Sequence, residues 1–508
     1  MEEFVFLQHL PAVLPEVGLT ILAIVLLAAD VGFLWIRPLA ESRKNLIPYI
    51  AGFGMLAIAV LPLVSVPNGE LMWGGMVRHD VLAQLFKTMV IVAGAFTAFM
   101  AGNAREFARK GEFYLIIVVS TLGATLLSAS ADLIMIFVAL ETISIPLYIL
   151  AAFSRDDRRS VEGGVKYFLF GSFASAIMLY GFSLLYGFTG QTNIYALAEF
   201  LSSAPFEGNP VPVLVSIVLV VVGFGFKISA VPFHFWTPDV YEGAPTPVTA
   251  FVSVASKAAS FALLVRFLIA VFPEGLVIGG FEIRDFWVAL ISVAAVISMT
   301  LGNLVALQQR NVKRLLAYSS IAQAGYTLIG VAALYAQTGD PAVSTLNTES
   351  VAAIAFYMLM YTFTNLLAFT VVVIFSEVTG SETIADFAGL SRRNPWMALT
   401  MTVAFLSLAG IPPAAGFFGK FFLFNAAVRA DMVWLAIIGV LNSIIALYYY
   451  LIFIKVMYVD RSPDDDQPIR LSASAAWVLG VTTVIVLILG VIPGAFFNWA
   501  LESARMLS

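Results

Sequence analysis

VVGFGFKISAVPFHFWTPDVYEGAPTPVTAFVSVASKAASFALLVRFLIAV, residues 221–271, decides how the whole chain folds. It is apolar enough for two membrane crossings, yet it holds Lys227 in the first and Lys257 in the second. A lysine at mid-bilayer costs roughly 2.5–3.5 kcal/mol, so each needs a reason to be there. Gly223, Gly225 and Pro232 predict a broken helix around Lys227. Broken backbone at membrane depth must find water or protein partners, and therefore lines a polar cavity or ion pathway; a proline kink that aids packing is the alternative. Lys257 lies about 12 residues into its helix, roughly 18 Å deep at 1.5 Å per residue, beyond the reach of snorkelling. Thr249, Ser253, Ser256 and Ser260 share its face, a polar stripe directed at the bundle interior. The alternative for Lys257 is a lysine satisfied by interhelical hydrogen bonds alone.

The rest of the chain fits the same solvent. Of 508 residues, 60% are hydrophobic and 12% charged, against about a quarter charged in soluble domains. Cysteine is absent, excluding disulfides and thiolate chemistry, and three histidines (His9, His79, His234) argue against a zinc or haem site. No basic arm or Arg-aromatic cluster suggests nucleic-acid binding. The acidic start MEEFVF lacks the basic flank of a cleaved signal, so the first apolar run is expected to be retained. Run lengths predict an all-α membrane protein of about 14 transmembrane helices. The expected spans are 12–35, 47–66, 80–101, 113–129, 131–153, 163–187, 211–236, 245–271, 286–307, 313–336, 350–375, 397–428, 432–456 and 475–497. Segments 190–210 and 460–470 read as loops, and residues 1–508 as a single polytopic domain.

Lys and Arg set the orientation. The odd-numbered loops hold seventeen of the 27 basic residues, and the even loops and C-terminal tail hold four: Arg78, Arg284, Arg429 and Arg505. Both termini are thus expected outside the cytoplasm. The remaining six lie inside apolar runs: Lys87, Lys166, Lys227, Lys257, Arg266 and Lys420. Lys420 follows Pro412 and Pro413 in FLSLAGIPPAAGFFGKFF, a second interrupted helix matching that of Lys227 and pointing to an internal repeat. Glu141, about ten residues into IFVALETISIPLYIL, is the natural partner of a lysine, as a mobile protonation switch or a static pair. Lys166 and Lys87 are open between pathway and anchor, with Lys87 nearer an anchor; Arg266 reads as an interface anchor, and Glu16 and Asp30 as end-of-helix charges. His234 is open between proton relay and structural histidine. Ser319, Ser320, Gln323 and Tyr326, then Tyr357, Tyr361, Thr364 and Asn365, then Asn442 and Ser443, supply uncharged polar groups for a hydrated line or for packing.

With KISAVPFHFWTPDVYEGAPTPVTAFVSVASK (227–257), QQRNVKRLLAYSSIAQAGY (308–326) and GIPPAAGFFGKF (410–421), the sequence resembles the antiporter-like subunits of proton-pumping NADH:quinone oxidoreductase, respiratory complex I, over nearly its whole length. YEGAPTPV, Asn311 where L and M types usually carry aspartate, and Lys420 where the M type carries glutamate place the resemblance with the N type. The resemblance implies two inverted five-helix repeats, 111–271 and 286–457, after three N-terminal helices (1–110) and before a C-terminal helix (474–508). It implies Glu141 and Lys227 as the paired switch, Lys257 as the central proton carrier, Lys420 as the terminal group of the second half-channel, and Lys166 as an accessory near the cytoplasmic side. It also implies a bacterial plasma-membrane location, with neighbouring antiporter-like and small membrane subunits as partners.

A lysine in water, with a pKa of about 10.4, does not release protons at neutral pH; loss of solvation is what makes exchange feasible. Each charge moved against the potential costs about 2.3 kcal/mol per 100 mV. The sequence shows no nucleotide fingerprint, flavin site or cluster ligand, so no cofactor is expected in this chain. FMN, iron-sulfur clusters and quinone are expected in partner subunits. The competing readings are a subunit of a multisubunit Na+/H+ antiporter, of a membrane-bound hydrogenase-type complex, or a purely structural subunit.

Overall fold

The protein, seen here as a computed structural model, is described for residues 9–35, 46–203, 209–334 and 343–505. Its helices are α1 (Leu14–Trp35), α2 (Ile47–Ile58), α3 (Val81–Ala101), α4 (Gly111–Ala129), α5 (Leu133–Ala151), α6 (Arg158–Thr189), α7 (Ile194–Ser203) and α8 (Val211–Ile228). They continue with α9 (Trp236–Gly243), α10 (Thr246–Val271), α11 (Ile283–Ala306), α12 (Val312–Ala332), α13 (Val343–Thr379) and α14 (Pro395–Ala409). The last four are α15 (Gly416–Arg429), α16 (Val433–Tyr458), α17 (Ala473–Val491) and α18 (Pro493–Arg505). Thirteen helices among the described residues are long and apolar enough to cross a membrane. The fourteenth expected crossing, 397–428, is divided between α14 and α15. The chain is an all-α membrane protein with two broken helices.

Polar residues at the ends of the apolar runs start the helices. Asp80, Asp132, Asn311 and Asn394 each accept a hydrogen bond from a first-turn amide of α3, α5, α12 and α14, satisfying donors that have no intrahelical partner. On one face of the molecule, loops 65–80 and 272–282 form two small antiparallel hairpins, Leu71–Met72 with Val77–Arg78 and Val277–Ile278 with Phe281–Glu282. Among the described residues the opposite, basic face carries Arg105, Arg159, Lys166, Arg314 and Arg392 with their acidic partners.

Both breaks have the same backbone. Ser229 ends α8 in the left-handed region (φ 62°), as Gly410 does α14 (φ 87°). Ser229 N–H donates to Phe226 O and Ala230 N–H to Gly225 O; Gly410 N–H donates to Ser407 O and Ile411 N–H to Leu406 O. Three residues past each left-handed residue stands a cis proline, Pro232 and Pro413. The pattern therefore recurs at one constant spacing, Ser229 to Gly410.

Helices α10, α12 and α13 form the centre of the bundle and are almost wholly buried. The outer helices turn apolar side chains outward, such as Ile21 and Ile24 on α1 and Leu441, Ile444 and Tyr448 on α16, as a lipid-facing surface does. Several expected bounds change. The expected loop 190–210 contains α7. The crossing expected at 211–236 stops at Ile228, where the break begins. The final run ends at Val491, because Pro493 cannot continue it, and a separate α18 follows.

Candidate functional site

Lys227 occupies the last turn of α8, just before the first break. Its Nζ donates to Ser144 Oγ on α5 at 2.5 Å and lies 5.7 Å from the Tyr148 ring centre. Glu141 sits three residues before Ser144 on the same helix, partly exposed, with Oε1 buried and lacking a hydrogen bond. Its field reaches Lys227, but no ion pair within 4 Å joins them among the described residues. Ser144, which the sequence reading passed over, is the group that holds the ammonium.

Lys257 is where α10 returns to α-helix directly after a π-helical turn, Val252–Ser256, a distortion common at functional sites. Its Nζ donates to Ser320 Oγ and, at 3.1 Å, to Ser320 O on α12. Ser320 Oγ also accepts from Tyr361 (2.9 Å) and lies 3.2 Å from the Tyr241 hydroxyl. Asn365 then links Tyr361 to Ser253 of the predicted stripe, both at 2.9 Å. The sequence reading omitted Tyr241, although it belongs to the quoted YEGAPTPV segment.

Lys420 lies on α15, beyond the second break. The break frees the terminal carbonyls of α14: Ala409 O accepts from Lys420 Nζ at 3.1 Å, and Leu408 O from Gln323 Nε2 at 3.1 Å. The Tyr326 ring sits 4.5 Å from the ammonium. Gly410 leaves room for the lysine stem, since a Cβ there would stand 3.0 Å from Lys420 Cδ. Ser320 and Gln323, one turn apart on α12, thus lie between Lys257 and the Lys420 break. Tyr357 donates to Gln323, and Thr364 is 2.9 Å from Ser407. The predicted polar residues of α12 and α13 do line up here. Asn442 joins the Lys420 end: Asn303 Nδ2 donates to the Asn442 carbonyl at 3.1 Å and to the Tyr326 hydroxyl at 3.0 Å.

Lys166 is not buried: it pairs with Asp239 (2.6 Å) and Glu162 (2.7 Å) at the basic face. Arg314 reaches the same Asp239 at 2.9 Å and Glu242 at 3.0 Å. His234 follows the first break, half-buried, and among the described residues makes no hydrogen bond to any of the three lysines.

Lys87, open between pathway and anchor, and Arg266, expected as an anchor, both prove to be held in buried ion pairs. Lys87 does not snorkel; it pairs with Glu16 at 2.9 Å and donates to Ala12 O at 2.7 Å. Glu16 is thereby the partner of Lys87 and not merely an end-of-helix charge. Arg266 does not reach an interface; it grips Asp80 with two hydrogen bonds of 2.6 and 2.9 Å, both side chains fully buried. The physical reason is proximity: Glu16 on α1 reaches Lys87 on α3, and Asp80 at the start of α3 reaches Arg266 on α10, before either cation meets water. Among the described residues no group of three or more His, Asp or Glu is placed to hold a metal.

The comparisons with known proteins agree on one family. The family model described as "NADH:quinone oxidoreductase/Mrp antiporter, TM" matches residues 130–446, which include all three buried lysines of the line. NADH-quinone oxidoreductase subunit N of Moorella thermoacetica is 40% identical over 466 residues, covering 91% of this chain and 93% of its own. A chain of respiratory complex I from Thermus thermophilus superimposes with a TM-score of 0.74 at 30% identity, covering 95% of this chain and 98% of that one. A chain of an archaeal membrane-bound sulfane sulfur reductase shares the fold (TM-score 0.82, 24% identity, 98% and 97% covered). The chain belongs to the NADH:quinone oxidoreductase/Mrp antiporter transmembrane family.

Proposed function

We propose that the chain is a membrane-arm subunit of an NADH:quinone oxidoreductase and carries protons across the membrane. One observation carries the proton role. Five lysines are buried among the described residues: Lys87, Lys227, Lys257, Lys313 and Lys420. Lys87 and Lys313 are paired with Glu16 and Glu382 at 2.9 and 2.7 Å, whereas Lys227, Lys257 and Lys420 have no carboxylate within 4 Å. Structural lysines in this fold are neutralised. The other three are held by hydroxyls, carbonyls and ring faces, so no ion pair among the described residues compensates the lost hydration of their charged form.

In this reading Glu141 modulates Lys227 as the switch, Lys257 passes protons along Ser320 and Gln323, and Lys420 is the terminal group. Lys166 and His234 are accessory. Segments 111–271 and 286–457 are inverted repeats, a view supported by the matching breaks, and 1–110 and 474–508 flank them. Partner subunits of the complex, including neighbouring antiporter-like and small membrane subunits, supply the FMN, iron-sulfur and quinone chemistry that drives the pump. The termini face away from the cytoplasm of a bacterial plasma membrane.

The test is Lys257→Met in the assembled complex. Assembly should persist while coupled proton translocation in sealed vesicles is lost; pumping at the original rate would refute the proton role. Copurification with NADH dehydrogenase activity separates this reading from a gradient-driven Na+/H+ antiporter, which has no redox partner.

A further inference from the structure

The matching breaks carry a residue correspondence. With Ser229 laid on Gly410 and Pro232 on Pro413, the helices that resume after the breaks start within one residue of the same spacing, α9 at Trp236 and α15 at Gly416. Carried forward at the same spacing, Lys420 falls on Asp239. We propose that Asp239 is the proton-uptake group of the first half, the counterpart at the basic face of Lys420 in the second. This rests on the proton-carrying reading above.

The surroundings of Asp239 fit that role. It is about one-third exposed, so water reaches it, and α9 starts against the first break, where Trp236 Nε1 donates to Phe226 O at 3.1 Å. Tyr241, two residues on, is fully buried with its hydroxyl 3.2 Å from Ser320 Oγ, the atom that holds Lys257. The Tyr241 carbonyl also accepts from Thr249 Oγ1 on the helix of Lys257 (3.1 Å). One eight-residue helix thus joins a partly exposed carboxylate to the partner of the central lysine. The charged groups facing Asp239 are Lys166 on α6, with Glu162 behind it, and Arg314 on α12, which also binds Glu242. Arg159 approaches Glu242 at 3.9 Å. Uptake begins when Lys166 swings toward Glu162, already 2.7 Å away, and uncovers an Asp239 oxygen. The carboxylate takes a proton from cytoplasmic water. Water, then the Tyr241 and Ser320 hydroxyls, pass a proton on to the neutral amine of Lys257, each hydroxyl gaining one proton as it gives up another.

The experiment uses the intact complex in sealed vesicles with Asp239→Asn, Asp239→Glu and Lys257→Met side by side. Asparagine keeps an acceptor for Lys166 and Arg314, so assembly should survive. Proton translocation should fall by at least about tenfold, as loss of a positioned acid-base group does. The dependence of turnover on cytoplasmic pH should change, and Asp239→Glu should restore most of the rate. If Asp239→Asn only lowers the amount of complex, and what assembles pumps with unchanged rate and pH profile, the assignment is overturned. If Lys257→Met abolishes pumping while Asp239→Asn pumps normally, the uptake role falls and the proposed function stands. If neither variant affects pumping, both fall.

Discussion

Replacing Asp80 by alanine should be among the most damaging single changes outside the proton line. The carboxylate and the Arg266 guanidinium are both fully buried and share two hydrogen bonds of 2.6 and 2.9 Å. Removing one partner of a buried pair leaves an uncompensated charge and costs about 3–5 kcal/mol. Asp80 Oδ1 also caps α3 by accepting from Ala83 N–H at 2.8 Å, worth about 1 kcal/mol. Asp80→Ala should therefore destabilise by about 4–6 kcal/mol. Arg266→Met leaves Asp80 with the Ala83 amide and with Arg78 at 3.5 Å, so its cost should sit at the low end, about 3 kcal/mol. The double variant removes both charges and retains only the lost cap and some lost packing, so the two changes should couple by at least about 2 kcal/mol. Thermal midpoints of this subunit's release from the detergent-solubilised complex give the order: wild type, double variant, Arg266→Met, Asp80→Ala. Additive effects, or a double variant worse than either single one, would refute the reasoning.

Two further outcomes follow from local geometry. At the second break a Cβ on Gly416 would stand 1.7 Å from the Ser407 carbonyl oxygen, backbone that cannot swing aside, while the Gly416 amide donates to Ser407 Oγ at 3.1 Å. Gly416→Ala should displace α15 and Lys420 and reduce coupled pumping; unchanged pumping with a normal thermal midpoint would show the break to be more compliant than described. At the basic face, partial burial pushes the Asp239 carboxyl up, but hydrogen bonds from Lys166 and Arg314 outweigh it and hold it below its ordinary range. A carboxyl with a depressed folded-state value stabilises above its unfolded value, near 4, and loses that contribution as pH falls below it. Hydrogen exchange of the α9 amides, corrected for intrinsic rates, should show easier opening on acidification toward pH 3, and Asp239→Asn should remove that dependence. Persistence of the same dependence in the variant would assign it elsewhere.

The polytopic class, nearly all span positions and the two breaks were legible because each rests on local rules: run length, helix-breaking residues and the cost of a charge in hydrocarbon. The same subtraction of charges found Lys227, Lys257 and Lys420. It left Lys87 open and misjudged Arg266, since sequence distance from a helix end suggests snorkelling and says nothing about Glu16 or Asp80 arriving from other helices. Ser144, Tyr241 and the freed carbonyls of Leu408 and Ala409 were missed for a related reason. Neutral hydroxyls and backbone oxygens are common everywhere in a membrane chain and acquire meaning only beside an ammonium.

By itself, then, the sequence determined the solvent, the number of crossings and which residues bear an energetic burden in it, because those follow from composition along a single strand. Only the tertiary structure decided which burdens are relieved. Lys87 and Arg266 meet carboxylates and become fasteners, while Lys227, Lys257 and Lys420 meet none. That difference depends on which helices lie side by side, and no spacing within one helix encodes it.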